Sequence, residues 1–165
     1  MKIEFQGMEA VFDMLDSVVD KSKIKSALHD ACALVERSAK QKAPKVDGEL
    51  RRSITSKVVN GEGIVFTPLE YAPYVEFGTG LFAEGGKGRQ DVPWVYIEGG
   101  SSKKASKSKS YTLEEAKQTV AYLQEQGLDA AYTYGMKPQP YLRPALHENR
   151  ENIKRIIKRG IMQND

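Results

Sequence analysis

The sequence predicts an α+β fold: an antiparallel sheet packed by a long N-terminal helix and a C-terminal helix, with a small strand-helix-strand insertion. Apolar residues recur at helical spacing near both ends of the chain. Between these stretches, two apolar-rich runs flank Asn60-Gly61, a pair typical of the tight turn of a β-hairpin. The chain has 165 residues, of which 40% are hydrophobic and 28% charged, so we expect a single domain over residues 1–165.

The first elements are predicted from residue spacing and from proline. Alternation over Met1–Phe5 favours a short strand, and the pattern of Met8–Leu15 favours a short helix. A longer helix follows, and we expect it to end near Lys42 because Pro44 disfavours helical geometry at the residue before it. The apolar stripe predicted for this helix consists of Ile24, Leu28, Ala31, Val35 and Ala39.

The central part of the chain is predicted to hold the hairpin and an exposed loop. Leu50–Val59 and Gly63–Thr67 are the predicted strands on either side of the Asn-Gly turn. The stretch from Gly80 to Arg89 is rich in glycine and charge, which indicates an exposed, mobile loop. Because residues 78–91 and 99–110 offer almost no apolar anchor, we expect both loops to become ordered only in an assembly.

Residues 99–137 are predicted to form an inserted loop, helix and strand. The first part, Gly99–Ser110, has the Ser- and Lys-rich composition of a flexible linker. A capping box at Thr112–Glu115 predicts the start of a helix, and Gly127 predicts its end. The strands predicted around this helix are Val92–Ile97 and Ala130–Tyr134.

A last helix is predicted from about Pro144 to Ile161, with one apolar and one basic face. The residues expected to face inward are Leu146, Ile153, Ile156, Ile157 and Ile161. The residues expected on the basic outer face are Arg150, Lys154, Arg155, Lys158 and Arg159.

The chemistry-bearing residues do not form a recognisable active site. His29 and His147 lie on different predicted helices, and neither has an acid and a nucleophile at a catalytic spacing. Cys32 borders an apolar helix stripe and is expected to be a small buried residue. We therefore predict no catalytic, cofactor or metal site and no enzyme activity. We also expect no membrane contact, since no apolar run approaches the length of a span.

Three segments, taken in order, resemble one family. Ala39–Pro44 with Asp47–Ile54 resembles A-K-x-x-A-P-x-x-T-G-x-L-R-x-S-I, Tyr71–Gly80 resembles Y-A-x-Y-V-E-F-G-T, and Pro140–Leu146 resembles P-F-L-R-P-A. Together they are similar to the minor tail or neck proteins of long-tailed bacteriophages, the tail-completion and head–tail joining family. The sequence departs from this pattern at Asp47, where threonine is usual, at Tyr141, where phenylalanine is usual, and by the 99–137 insertion.

The resemblance implies a structural virion protein whose copies form a ring, a hexamer, at the junction of the phage head and tail. The implied partners are further copies of the chain, a tail terminator or tail-tube protein on one side and a head connector protein on the other. Transient contact with packaged DNA is also implied, as is a location in the host cytoplasm during assembly. The candidate interface residues are Leu50, Arg51, Ser53, Tyr71, Tyr74, Glu76, Phe77, Gly78, Pro140, Tyr141, Leu142, Arg143 and Pro144, with Arg150, Lys154 and Lys158 on the basic face.

Other interpretations stay open from the sequence. The aromatic residues Tyr71, Tyr74 and Phe77 fit either a core or an interface, because each offers a large apolar surface. Glu76 has two candidate partners for an ion pair, Arg51 and Arg143. The alternative function is a nucleic-acid-binding module that uses the lysines of residues 103–109 and the C-terminal basic helix.

Overall fold

The computed structural model describes residues 2–4, 21–45, 48–86, 88–91, 93–98 and 111–162. The predicted helix at Met8–Leu15, residue Asp47 and the linker Gly99–Ser110 with its lysines lie outside the described residues. The chain divides into two compact units. The first unit comprises Met1–Glu76 and Gln139–Asp165, and the second comprises Phe77–Pro138.

The long helix of the first unit, α1, spans Lys21–Lys42 and ends where the proline rule predicts. All five residues of its predicted stripe are buried, as are Ala27, Cys32 and Ala43 beside them. This face packs against the sheet and against the C-terminal helices. The core that results consists of Ala31, Cys32, Val35, Ala39, Ala43, Leu50, Ile54, Val65, Ala72, Tyr141, Leu142, Ala145 and Ile153.

The sheet of the first unit has three antiparallel strands, β1 (Lys2–Glu4), β2 (Thr55–Val59) and β3 (Glu62–Phe66), in the order β1-β3-β2. The predicted hairpin is confirmed. Asn60 and Gly61 both have positive φ, 52° and 78°, as the tight turn between twisted antiparallel strands requires. Strand β3 of the hairpin is therefore the central strand of the sheet that α1 covers, and β2 is an edge strand.

The segment before β2 is a helix and not a strand. Helix α2 spans Glu49–Ser53, so the strand predicted over Leu50–Val59 is wrong before Thr55. The hydroxyl of Ser53 donates a hydrogen bond to the Leu50 carbonyl at 2.8 Å, which favours a helical turn over an extended chain. The turn buries the Leu50 side chain in the core.

The C-terminal part forms two helices where one was predicted: α5 spans Leu142–Glu148 and α6 spans Arg150–Met162. They are separated at Asn149, whose side-chain nitrogen donates to the Ala145 carbonyl at 2.8 Å and competes with continuous helix bonding. The predicted inward residue Ile153 is buried. The other four, Leu146, Ile156, Ile157 and Ile161, are half-buried.

The second unit contains a two-stranded antiparallel sheet and one helix. Strands β4 (Trp94–Ile97) and β5 (Ala130–Thr133) pair with Trp94 opposite Thr133, and helix α4 spans Leu113–Glu125. The predicted capping box is confirmed: the Glu115 amide donates to Thr112 Oγ1 at 3.2 Å, and the Thr112 amide donates to Glu115 Oε2 at 2.8 Å. The strand-helix-strand order predicted for this region is thus observed.

Residues 79–81 are anchored by backbone hydrogen bonds, within a segment predicted to offer almost no apolar anchor. The Thr79 amide donates to the Met136 carbonyl at 2.9 Å, and the Leu81 amide donates to the Tyr134 carbonyl at 3.0 Å. Two short 3₁₀ turns, Gly80–Phe82 and Glu84–Gly86, follow. The composition missed this arrangement because its bonds come from the backbone and need no apolar side chain. The exposure of Leu81 and Phe82 agrees with the prediction of an exposed loop.

Candidate assembly surface

Helix α3, which spans Ala72–Phe77, turns a carboxylate inward and aromatic side chains outward. Ala72 and Glu76 lie four residues apart on one face and are both fully buried. Tyr74 on the opposite face is 59% exposed, and Tyr71 just before the helix is 38% exposed. Ala72 and Val75 still pack against the core, but the buried carboxylate and the exposed tyrosines depart from the usual pattern of a surface helix.

The buried face of α3 holds its position through the Glu76 carboxylate. Its Oε2 accepts hydrogen bonds from the amides of Tyr141 at 2.8 Å and Leu142 at 3.0 Å. Its Oε1 accepts from the Arg143 amide at 3.0 Å and from Arg143 Nε at 3.1 Å. These amides lie at the start of α5, where a helix has no carbonyl partners of its own for its first N–H groups. One side chain therefore satisfies backbone groups 65 or more residues away in sequence.

The ion pair of Glu76 resolves the choice left open by the sequence. Glu76 pairs with Arg143, whose Nη2 also donates to the Glu76 carbonyl at 3.3 Å. Arg51, the other candidate, is half-buried and has its Nε buried without an acceptor among the described residues. Thus Arg143 joins α5 to α3, whereas Arg51 belongs to another surface.

Tyr141 and Leu142 lie in the core of the first unit. Both are fully buried, and the Tyr141 hydroxyl has no hydrogen-bond partner among the described residues. Burial, together with the nearby Glu76 and Tyr71, raises the pKa of the Tyr141 hydroxyl well above its usual range. This phenol therefore stays neutral at physiological pH.

The large apolar side chains that stay exposed in the α3 segment, among the described residues, are all aromatic. We call Tyr71 and Tyr74 the aromatic pair. The Tyr71 hydroxyl donates to Glu49 Oε2 at 3.0 Å, which fixes one ring at the surface. Phe77, the last residue of α3, is 39% exposed. Of the two roles left open for these aromatic residues, the exposures favour an interface over a core.

The remaining motif residues have local structural roles. Ser53 Oγ lies 2.7 Å from Thr67 Oγ1, a contact that joins α2 to the end of β3. Gly78 has a φ of 75°, and a Cβ there would lie 2.8 Å from the Met136 carbonyl oxygen, so no larger residue fits without a shift. Pro140 is exposed, and Pro144 occupies the first turn of α5, where its missing N–H has no cost.

The predicted basic face of the last helix is exposed on α6. Arg150, Lys154 and Lys158 follow at steps of four residues and all lie at the surface. Lys154 forms an exposed ion pair with Glu151 at 2.7 Å. Its hydrogen bond and its charge lower the pKa of the Glu151 carboxyl. The face is therefore available to a partner, with part of its charge compensated.

The histidines and the cysteine are placed as expected. His29 and His147 are exposed on separate helices, and Cys32 is buried in the core. Burial, with a smaller effect of the Glu36 charge, raises the pKa of the Cys32 thiol to about 11. Within the described ranges, no group of three or more His, Cys, Asp or Glu side chains is placed to hold a metal ion. No helix in the same ranges is long and apolar enough to cross a membrane.

Two partners of the motif residues were not foreseen from the sequence. Thr67 contacts Ser53 across 14 positions, and Glu49 accepts from Tyr71 across 22. Hydroxyl and carboxylate residues at such separations carry no periodic signal, so only the tertiary fold pairs them. The outward direction of Tyr74 had no signal in the sequence either, because it follows from the burial of Glu76, which depends on contacts with residues 65 or more positions away.

The comparisons with known proteins agree with the motif analysis. Residues 8–78 match the family model described as "Bacteriophage HK97-gp10, putative tail-component". The matched stretch contains the first motif segment and most of the second, and the third lies outside it. The resemblance to a phage tail component is therefore confirmed over this stretch. No curated protein and no solved structure matches the chain.

Proposed function

We propose that the protein is a structural component of a tailed-bacteriophage particle, and that six copies form a ring at the head–tail junction. The match of residues 8–78 to a phage tail-component family supports the virion role. The ring and its place at the junction rest on the motif resemblance. The proposed location is the virion, after assembly in the host cytoplasm.

The observation that carries the proposal is that α3 buries the carboxylate of Glu76 and exposes the ring of Tyr74. The described residues leave this ring 59% exposed, and we propose that another molecule covers it. Tyrosine is enriched at protein interfaces because it combines a large apolar ring with a hydroxyl that hydrogen-bonds at the rim. The aromatic pair is therefore proposed as a contact between neighbouring copies.

The proposed partners beyond the ring are two neck proteins. A tail terminator or tail-tube protein would meet one side of the ring, and a head connector protein would meet the other. No cofactor takes part in this function, because it depends on shape and surface contacts and not on catalysis.

The experiment compares the wild-type chain with Tyr74→Glu by light scattering over a range of concentrations. A charge in the centre of an apolar contact is costly to bury, so the variant should remain a monomer where the wild type associates. Val59→Glu is the control, because Val59 is also an exposed apolar residue of the first unit, at 43% against 59% for Tyr74, and lies outside the aromatic pair. Circular dichroism should show equal folding of all three proteins. Association of Tyr74→Glu at the wild-type concentration would refute the role of the aromatic pair.

The alternative function, a nucleic-acid-binding module, is favoured by one observation, the exposed cations of α6. Binding through such a face weakens steeply with salt, because each neutralised phosphate releases counterions. A mobility-shift titration of the full chain with duplex DNA at two salt concentrations distinguishes the two functions. A virion structural role predicts no salt-dependent complex at micromolar protein.

A further inference from the structure

A groove on the first unit runs beside the C-terminal half of α1 and includes α2. It has a volume of about 530 Å³. The residues that line it are Ala33, Glu36, Arg37, Lys40, Gln41, Lys45 and Arg51. Four of these seven side chains are cationic and one is a carboxylate, so the groove is strongly positive in a chain with a net charge of only +3.

The single carboxylate of the groove is already engaged. Glu36 Oε1 lies 2.6 Å from Lys40 Nζ, and Glu36 Oε2 accepts from the Ser56 hydroxyl at 2.6 Å. These contacts outweigh the effect of burial and lower the pKa of the Glu36 carboxyl, which keeps it charged. Glu36 and Lys40 thus compensate each other and leave the remaining cations to define the charge of the groove.

The remaining cations have no ion-pair partner in the part of the chain that the structure describes. Arg37 and Lys45 are exposed at the rim, and Arg51 is half-buried in the wall. The Nε of Arg51 is buried without an acceptor among the described residues. A buried donor without an acceptor costs free energy, so an acceptor that enters the groove is strongly favoured.

We propose that this groove binds an acidic segment of a partner protein, one that carries at least two carboxylate side chains. An extended peptide is narrow enough to bring a carboxylate to the half-buried Arg51 guanidinium, whose planar fork matches two carboxylate oxygens. A second carboxylate then lies near Arg37 or Lys45 at the rim. A DNA duplex carries its phosphates on a rigid convex backbone and would reach the rim but not the wall.

This inference concerns a surface other than the aromatic pair. It holds whether or not copies of the chain form a ring, so its failure and the failure of the proposed function are separate results. It also gives the Nε of Arg51 an acceptor, which the described residues do not supply.

The experiment measures fluorescence anisotropy with the full chain and a labelled 12-residue peptide of alternating Gly and Glu. A peptide with Gln in place of every Glu is the charge control, and a labelled DNA duplex is the second probe. We expect the Glu peptide to bind at least tenfold more tightly than the Gln peptide and to lose affinity as salt rises. Binding of the duplex should not change when a residue in the wall of the groove is substituted.

The variants test whether binding depends on the groove itself or on the positive charge of the chain in general. Arg51→Gln should weaken binding of the Glu peptide at least tenfold. Arg51→Lys keeps the positive charge and should weaken binding less than Arg51→Gln does. The matched control is Lys25→Gln, which removes one exposed charge from the N-terminal half of α1, outside the groove, and should leave binding within twofold. Arg37→Gln tests the rim in case Arg51→Gln unfolds the chain. Equal losses for Arg51→Gln and Lys25→Gln would overturn the proposal, as would a duplex that binds more tightly than the peptide and depends on Arg51.

Discussion

At the scale of single residues, we expect Glu76 to contribute more to the stability of the first unit than any other side chain. It is fully buried, and its two oxygens accept from three backbone amides and one guanidinium nitrogen. Hydrogen bonds to a charged acceptor are stronger than neutral ones, and their loss leaves buried donors unsatisfied. The sequence placed Glu76 among aromatic residues and offered two arginines, but the choice of Arg143 requires the tertiary contact between α3 and α5.

The Glu76→Ala variant is therefore expected to lose about 3–5 kcal/mol of unfolding free energy, since it strands a buried set of donors. Glu84→Ala changes an exposed residue and should cost less than about 1 kcal/mol. Urea unfolding followed by circular dichroism measures both. Equal midpoints for the two variants would show that the Glu76 contacts do not stabilise the fold.

The Glu36 carboxyl group makes the free energy of unfolding depend on pH. Its pKa in the folded protein lies below the ordinary value of 4.5, so its contribution is present above that value and is lost as the pH falls through the folded pKa. Glu36→Gln should melt roughly 2–4 °C below wild type at pH 7, and this difference should shrink as the pH falls below 4.5 towards the lower pKa of the folded protein. Melting curves from pH 3 to 8 measure it. A difference that stays constant with pH would contradict the charged contacts of Glu36.

At the scale of elements, periodicity and end signals predicted most of the fold. The stripe of α1, the Asn-Gly turn and the capping box of α4 each depend on residues close in sequence, and each is confirmed. The errors arose where side chains compete with the backbone. Ser53 stabilises a helical turn before β2, and Asn149 divides the last helix. Such bonds have no period, so hydrophobic spacing does not reveal them.

We expect the basic face of α6 to be needed for function and not for stability. Changing Arg150, Lys154 and Lys158 together to Gln removes exposed charges and one exposed ion pair, so the melting temperature should stay within about 4 °C of the wild type. If the face meets a neighbour or the DNA in the particle, the variant should fail to complete infectious particles. Differential scanning calorimetry and a complementation assay measure the two effects.

Two outcomes would correct this view of α6. Normal infectivity would make the face a solvated surface without a partner. A collapse of the melting temperature would mean that these side chains contribute to packing, in conflict with their exposure.

At the scale of the whole molecule, exposed apolar side chains are unevenly distributed. Of the fourteen large ones exposed in the described ranges, ten belong to Phe77–Pro138. Apolar surface at this density, in a unit with one helix and a two-stranded sheet, is typical of a region covered in an assembly. Sequence patterns predicted the exposure of Leu81 and Phe82 in their loop, but not that of the other eight, because exposure depends on how few elements the unit contains.

The mass of the purified chain in solution, combined with negative-stain images, tests the central claim of a ring most directly. We expect the mass to reach six times that of the 18.4 kDa chain as the protein concentration rises, and the images to show closed rings. Tyr74→Glu should abolish both. A mass that stays at 18.4 kDa at every concentration, with no rings in the images, would contradict the proposed assembly.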